Sequence, residues 1–333
     1  MSTPATLQPG LIEAAAPPER RGIERDSVRM LVTERRNGRH SHARFFDLAS
    51  LLRKGDVLAV NDSATLPAAI RSRRRTAESL LLHVSTMIDN RLWMTEPRGR
   101  VVSGEELRLS GDGSVTMIAP VEPERPRVWY ASFQIPLPMN AYLSRFGEPI
   151  RYGYISTHFP LTDYQTMFAR EPGSSEMPSA ARPFTPRVVR SLRERGIEFV
   201  TITLHCGVAS FESPERPTIE RYFVSPRAAE AVNRARDERR RIIAVGTTSL
   251  RALESAVCDG KVVASSGWTD LVIDERYKLK SSDGLLTGFH DSAATHQWIL
   301  RSFLGGDLVA SAYDEAAAHG YYKHEFGDVH LIL

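Results

Sequence analysis

The order of two sequence textures along this chain constrains its fold more than any other feature. Apolar runs followed by helix-like segments occupy both ends, as at DVLAVN (residues 56–61), IEFVTITLHCG (197–207) and RIIAVGTTS (241–249). Between about residues 70 and 150 the runs are short, alternate apolar with polar residues, and are separated by Gly, Pro, Asp and Asn. Strands that alternate with helices are typical of an α/β domain, and short alternating strands are typical of a small barrel or sandwich. The sequence therefore predicts an α/β domain that carries an all-β insertion.

Domain boundaries follow from these changes of texture. We expect a mobile N-terminal tail at residues 1–18, which are rich in Ala, Pro and Thr. The α/β domain then comprises residues 19–69 and 150–333, and the insertion comprises residues 70–149. A chain of 333 residues is long enough for two modest domains of this kind.

Composition excludes several classes of protein. A hydrophobic fraction of 42% and a charged fraction of 25% are ordinary for a globular chain, so we do not expect disorder throughout. The cysteines Cys206 and Cys258 lack the spacing of a zinc site and fit a reducing compartment. The N-terminus lacks a signal-peptide pattern, and no apolar run is long enough to span a membrane. We therefore expect a cytoplasmic protein.

The net charge is +3, and nearly all of the positively charged residues are arginine. Arginine suits phosphate groups, but the codon bias of a GC-rich genome explains the same composition, and this net charge does not establish nucleic-acid binding. A cluster where the insertion begins is a candidate RNA contact, namely Arg71, Arg73, Arg74 and Arg75. A second cluster within residues 234–241 contains Asp237 and Glu238, which is typical of a solvated helix face.

The segment AVGTTSLRALES, residues 244–255, is the strongest local signal. An apolar strand runs into Gly246, and a helix starts immediately after it. Free amides at a helix N-terminus favour an anion, so the hydroxyl groups of Thr247, Thr248 and Ser249 are candidates for binding a carboxylate. Capping of a purely structural helix is the alternative interpretation.

Two further strand ends carry histidine. His205 ends a predicted strand, and Gly207 lets the chain turn closely beside it. In the segment 281–295, His290 follows Phe289 and precedes a helix capped by Asp291 or Ser292. Ligands bind at strand ends in α/β folds, and Phe289 could stack on a purine. The alternatives are that both histidines are structural hydrogen-bonding groups and that Phe289 belongs to the core.

The polar segment 163–186 is the fourth candidate. It contains Pro172, Gly173, Ser174, Ser175 and Pro178, and loops of this length within compact domains are usually functional. A solvated connection is the alternative interpretation.

Taken together, these blocks resemble the S-adenosylmethionine:tRNA ribosyltransferase-isomerase family. The resemblance extends from about residue 17 to residue 333, and the blocks GTTSLRALES and LLTGFH are its most specific parts. It implies a barrel-like α/β main domain with an inserted small all-β barrel. Family members transfer and isomerise the ribosyl group of S-adenosylmethionine onto 7-aminomethyl-7-deazaguanine in tRNA. They give epoxyqueuosine, release adenine and methionine, and need no metal or permanently bound cofactor.

This chemistry needs a base to remove a ribose 5′ proton, a donor for the leaving adenine, a dry pocket and an anchor for the methionine carboxylate. For proton transfer we select His205, His290 and Asp283. Residues selected for S-adenosylmethionine binding are Gly207, Gly246, Thr247, Thr248, Ser249, Arg251 and Phe289. Residues selected for binding the second substrate are Asn61, Tyr164, Gln165, Thr166, Pro178 and Ser179. We expect His205, Thr247, Thr248, Phe289 and His290 to converge on one pocket.

The sequence departs from the family pattern at several positions. Asp62, Ser63 and Ala64 stand where the family has a run that includes arginine, and Arg182 and Pro183 stand where it has leucine and histidine. Of a His-x-His-Ser-Glu run, only Glu220 can be matched, and NFHLP is replaced by GFHDS at residues 288–292. Three functions therefore stay open: the standard tRNA reaction, the same sulfonium chemistry on a small-molecule acceptor, and an inactive RNA-binding relative. We expect a monomer or a weak homo-oligomer.

Overall fold

A nine-stranded mixed sheet forms the centre of the computed structural model, which describes residues 10–208, 217–291 and 294–333. In order across the sheet, its strands are β18 (Ser265–Thr269), β14 (Glu220–Val224), β13 (Glu198–Leu204), β4 (Val57–Asn61), β15 (Ile242–Val245), β19 (Gly284–Gly288), β21 (Val329–Ile332), β2 (Arg29–Thr33) and β3 (His40–Arg44). Within the described residues the sheet is open, because β18 and β3 each pair on one side only. The α/β class is confirmed, and the open sheet differs from the barrel-like main domain that the resemblance implies.

Four neighbouring strands, β13, β4, β15 and β19, run parallel. They are apolar along most of their length because both faces of this part of the sheet are covered. Their carboxyl ends therefore lie at the same edge, which brings together Asn61, Gly246 and the turn after Gly288.

Helices pack on both faces of this sheet. They are α1 (Leu48–Leu51), α3 (Pro186–Glu194), α4 (Pro226–Asp237), α5 (Thr247–Ser255), α6 (His296–Leu304) and α7 (Gly306–Ala318), whereas α2 (Met139–Phe146) packs against the insertion. The hydroxyl groups of Thr185 and Ser225 cap α3 and α4, accepting hydrogen bonds from Val188 N and Ala228 N at 3.4 and 3.1 Å. The predicted cap Ser292 lies outside the described residues. In the part of the chain that is described, no helix is both long enough and apolar enough to cross a membrane.

The insertion forms a closed antiparallel barrel. Its strands are β6 (Ala69–Arg73), β7 (Ser79–Met87), β8 (Leu92–Pro97), β9 (Glu106–Leu109), β10 (Ser114–Pro120) and β11 (Trp129–Gln134). The predicted small barrel is therefore confirmed. The helix α2 was not predicted in this region, and it packs Met139, Tyr142 and Leu143 against the barrel core. That the insertion folds as a separate module stays a prediction.

The described residues also form three two-stranded sheets outside the main sheet and the barrel. They pair β1 (Ile12–Glu13) with β20 (Tyr322–Lys323), β5 (Ser63–Thr65) with β12 (Glu171–Ser174), and β16 (Val257–Cys258) with β17 (Lys261–Val262). Residues 12–14 are not the mobile tail that we expected, because β1 is paired and Ala14 packs in a cluster with Tyr164 and Phe326. Residues 1–9 of that predicted tail lie outside the described residues.

Candidate active site

A cavity opens at the carboxyl edge of the parallel strands, where the barrel meets the main sheet. Its wall includes the start of α5, the turn after β19, the segment 175–180, residues 206–208, and Arg127 from the barrel. Gly207 makes the junction possible, because a side chain there would meet the hydroxyl groups of Ser85 and Thr86 on β7. Next to it, Val208 N donates a hydrogen bond to Ser85 Oγ at 2.9 Å. The predicted residue Gly207 thus lines the cavity and lets the two domains touch.

The N-terminus of α5 faces this cavity. Gly246 has φ +89°, a conformation that favours glycine, and it lines the cavity together with Thr247 and Thr248. No side chain among the described residues caps the helix, so its first amides can receive an anionic group. Ser249 is different: its hydroxyl donates to Val245 O at 2.7 Å, and its side chain is fully buried. The prediction that Ser249 binds ligand is therefore wrong.

An ion pair lies one turn further along α5. Arg251, 5% exposed, donates to Glu220 Oε2, and its Nε donates to Leu271 O at 3.1 Å. Glu220 Oε1 in turn accepts a hydrogen bond from Gly207 N at 2.9 Å. Both side chains line the cavity. Arg251 therefore holds Glu220 in place, and Glu220 in turn holds Gly207 at the cavity wall. The sequence alone did not show that Arg251 and Glu220 are partners.

Two stacked imidazoles form part of the wall. The rings of His290 and His296 lie 3.8 Å apart between centroids and 12° from parallel. Burial holds the pKa of His290 well below its usual range, and the neighbouring His296 and His324 lower it further. Burial likewise lowers the pKa of His296 to about 4. Both rings are neutral at pH 7 and could accept a proton; His296 is a residue that the sequence analysis missed.

His205 lies apart from the cavity wall that the described residues form. Its Nδ1 atom lies 2.7 Å from Ser63 Oγ, and Gly173 leaves the space that its ring occupies. Burial, with a smaller effect from Arg221, lowers its pKa to about 4. The His205 ring is held beside β5 and β12 and does not line the cavity with Thr247, Thr248 and His290, although the adjacent Cys206 does; its part in the site stays a prediction.

Two further site predictions are contradicted by packing. Asp283 lies at the amino end of β19, at the edge away from the cavity, and its Oδ2 accepts a hydrogen bond from Ile242 N at 2.9 Å. Phe289 is 0% exposed, packs among Leu31, Ala312 and Tyr321, and cannot stack on a bound purine. Side chains alternate along an extended chain, so Gly288 and His290 line the cavity while Phe289 faces the core.

The residues selected for the second substrate separate into two groups. Tyr164, Pro178 and Ser179 line the cavity, and Thr65 lies beside them. The others lie behind the wall. Asn61 forms hydrogen bonds with the backbone of Leu204 and donates one to Thr248 Oγ1 at 3.3 Å. Gln165 forms hydrogen bonds with both the backbone N–H and the backbone C=O of Thr65. Thr166 Oγ1 accepts a hydrogen bond from Phe168 N at 3.3 Å. Asn61, Gln165 and Thr166 therefore position the wall.

Acidic and tyrosine side chains complete the wall, and sequence reasoning missed them. The Tyr152 hydroxyl donates to Glu176, and the Tyr154 hydroxyl donates to Glu325. Burial raises the pKa of Glu325, so this carboxyl group can hold a proton. Glu176 lies within the EPGSSEMPS block and could have been selected from it. Glu325 follows His324 in a segment with no distinguishing pattern.

Comparison with known proteins finds similarity over nearly the whole chain. Residues 7–332 match the family model described as "Queuosine biosynthesis protein". The chain is 37% identical over 322 residues to the S-adenosylmethionine:tRNA ribosyltransferase-isomerase of Moorella thermoacetica, covering 93% of this chain and 94% of that one. Identity to the Thermus thermophilus protein of the same name is 37% over 336 residues, covering 95% and 97%. A crystal structure of S-adenosylmethionine tRNA ribosyltransferase from Thermotoga maritima matches with TM-score 0.53 at 27% identity, covering 93% of each chain. The similarity thus includes both the main sheet and the inserted barrel.

Proposed function

This chain belongs to the S-adenosylmethionine:tRNA ribosyltransferase-isomerase family, and from that premise we infer its activity. It transfers and isomerises the ribosyl group of S-adenosylmethionine onto 7-aminomethyl-7-deazaguanine in tRNA, as a step of queuosine biosynthesis. S-adenosylmethionine is a co-substrate in this reaction, and adenine and methionine are released.

One observation supports this activity more than any other. The N-terminus of α5, uncapped by any described side chain, and the neutral pair His290–His296 open into the same cavity. The first can hold the carboxylate of methionine, because free amides and the helix dipole favour an anion. The second can accept a proton from the ribose. An anion site and a base in one enclosed space match the two needs of a sulfonium substrate.

The division of proton transfers follows from the two kinds of titratable group in the wall. Burial lowers the pKa of His290, which favours the neutral imidazole, and raises the pKa of Glu325, which favours the protonated carboxyl group. We assign removal of the ribose 5′ proton to His290 and protonation of the leaving adenine to Glu325. Loss of adenine leaves an unsaturated sulfonium, to which the amine of the modified base adds. The resulting ylide closes on the ribose aldehyde as methionine departs, which forms the epoxide.

The departure at Arg182 does not argue for a different acceptor. Its guanidinium is buried, donates to Asp163 O at 2.9 Å and pairs with Glu19 Oε2 at 3.0 Å. It does not line the main cavity, but lies in a small adjoining pocket whose wall shares Ser179 and Glu325 with that cavity. This replacement therefore changes the packing beside the site and leaves the standard reaction as the proposal.

Adenine release tests the activity directly. The protein is incubated with S-adenosylmethionine and a chelator, and then with tRNA that carries 7-aminomethyl-7-deazaguanine. We expect calorimetry to show binding in the presence of chelator, and adenine to accumulate once tRNA is added. The potential cation ligands found among the described residues, His42, Glu315 and His319, lie between β3 and α7 and away from the cavity. A strict requirement for a divalent ion, or no adenine with this tRNA, would contradict the proposal.

The dependence of activity on pH provides a second test. Burial holds the pKa of His290 well below 6.5 and lowers that of His296 to about 4. Both imidazoles therefore stay unprotonated near pH 6.5, where an ordinary histidine becomes charged. We expect kcat/KM for adenine release to show no acid limb with an apparent pKa between about 6 and 7. A limb in that range, lost in His290→Gln, would show that the cavity does not keep this base neutral.

The structure reduces the number of arginine residues that are candidates for tRNA contacts. Arg74 pairs with Glu78 and Glu105, and Arg75 pairs with Glu106, whereas Arg71 and Arg73 are exposed on the outside of β6. We therefore retain Arg71 and Arg73 as candidates for phosphate contacts. A tRNA substrate also agrees with the expected cytoplasmic location, and we propose that the enzyme acts as a monomer or a weak homo-oligomer.

A further inference from the structure

Two large aromatic side chains are exposed on the outermost strands of the main sheet. Phe223 on β14 is 50% exposed and Trp268 on β18 is 43% exposed. In the antiparallel pairing of these strands, Phe223 lies opposite Ser266 and Arg221 lies opposite Trp268. Residues opposite each other, or two apart on one strand, point to the same side. Arg221, Phe223 and Trp268 therefore share one surface, here called the aromatic face.

The opposite side of the same strands is covered. There, Val224 and Tyr222 pack with residues of α4 and α5 in a buried cluster. Large neighbouring aromatic groups that remain exposed on a folded chain mark a site of interaction more often than isolated ones do. The aromatic face is therefore a candidate interaction surface.

The aromatic face begins next to the cavity. Glu220, which lines the cavity, directly precedes Arg221, so their α carbons lie about 3.8 Å apart. The effect of Arg221 on the pKa of His205 likewise indicates that its charge lies near the carboxyl edge of the sheet. The Glu220 side chain points to the other side of β14 from Arg221 and Phe223, so the cavity and the aromatic face meet at the carboxyl edge of the sheet, and a large substrate would reach both by crossing that edge.

We propose that the aromatic face stacks the unpaired bases of the tRNA loop whose modified base enters the cavity. The proposal rests on the function inferred above and adds the surface that holds the RNA. Aromatic side chains bind bases of any identity because every base has a flat π-face, and a nearby arginine adds a phosphate contact or a cation–π contact. A second copy of the chain suits the face less well, since a two-fold contact centred on it would place Arg221 next to the partner's identical charge.

The test measures binding of an anticodon stem-loop RNA in the absence of S-adenosylmethionine. We expect Trp268→Ala and Phe223→Ala each to weaken this binding roughly tenfold, the usual scale for one lost stacking contact. The KM for tRNA in adenine release should rise to a similar extent, while kcat and the affinity for S-adenosylmethionine stay unchanged. Arg221→Ala should reduce the slope of log affinity against log salt concentration by about one.

Phe46→Ala is the matched control. Phe46 is 44% exposed, and the guanidinium of Arg187 lies 5.9 Å from its ring, so the pair has similar chemistry on another part of the surface. This variant should bind RNA like the unsubstituted protein. Unchanged RNA binding in both Trp268→Ala and Phe223→Ala would overturn the proposal. So would a concentration-dependent dimer that Trp268→Ala abolishes, because a second copy would then occupy the face. RNA binding that depends on the face without any adenine release would instead overturn the proposed activity and leave the RNA surface standing.

Discussion

His290→Ala should lower the rate of adenine release by about a hundredfold or more, the usual scale for loss of a general acid or base. The His290 side chain lines the cavity, its ring is neutral, and its Nδ1 has no hydrogen-bond partner among the described residues. The affinity for S-adenosylmethionine should change much less than kcat, because the methionine carboxylate is held separately at α5. Single-turnover adenine release and calorimetry measure the two effects.

His205→Ala is the control that distinguishes the loss of a catalytic base from the loss of any buried histidine. His205 is also a partly buried histidine of lowered pKa after a parallel strand, but its ring contacts Ser63 and Gly173 outside the cavity wall. We expect its loss to reduce turnover by less than about tenfold, a small effect beside that of a catalytic base. If His205→Ala were as inactive as His290→Ala while remaining folded, the base would have to be reassigned.

Arg251→Met should lower the free energy of unfolding by about 1–3 kcal/mol, since the partly buried carboxylate of Glu220 loses its ion-pair partner and keeps only the hydrogen bond from Gly207 N. The arginine also holds Leu271 O, so a segment beyond α5 loses a contact. Affinity for S-adenosylmethionine should fall as well, because Glu220 orients Gly207 N at the cavity wall. Urea unfolding monitored by circular dichroism measures the stability, and calorimetry measures the affinity.

The double variant Arg251→Met/Glu220→Gln separates the ion pair from general damage. Removing the uncompensated charge should recover part of the lost stability, so that the two effects are not additive. A loss below about 1 kcal/mol in Arg251→Met, the range of exposed ion pairs, would show that this pair is open to solvent.

The sequence predicts the elements of the fold better than the roles of single side chains. The apolar runs identified β4, β13 and β15, and the parallel pairing of these strands with one another and with β19 places their carboxyl ends at one edge. The sequence could not decide which side of the extended chain after β19 faces the cavity, so Phe289 was selected together with His290. Asp283 was selected for its carboxylate, although it lies at the other end of the same strand.

The sequence also could not predict side-chain contacts between residues that are far apart in the chain and meet only when it folds. Arg251 suggested an anion site, but Glu220, 31 residues earlier, satisfies it. His296 belongs to a helix with no distinguishing motif, and its importance comes from the ring of His290 against it. Glu325 acquires its raised pKa from burial, which no local pattern of residues reveals.

The hydrogen bond between Val208 and Ser85 joins residues 123 apart along the chain, and the cavity beside it has walls that extend from Thr65 to Glu325. Bringing such distant segments together is slow, because the entropy of closing long loops is lost before their contacts form. During synthesis, the barrel strands leave the ribosome well before α5, α6 and the final strand exist. Catalytic competence must therefore arise late in folding, after both domains have acquired most of their secondary structure, and a truncated chain that ends before Glu325 would have an incomplete cavity wall.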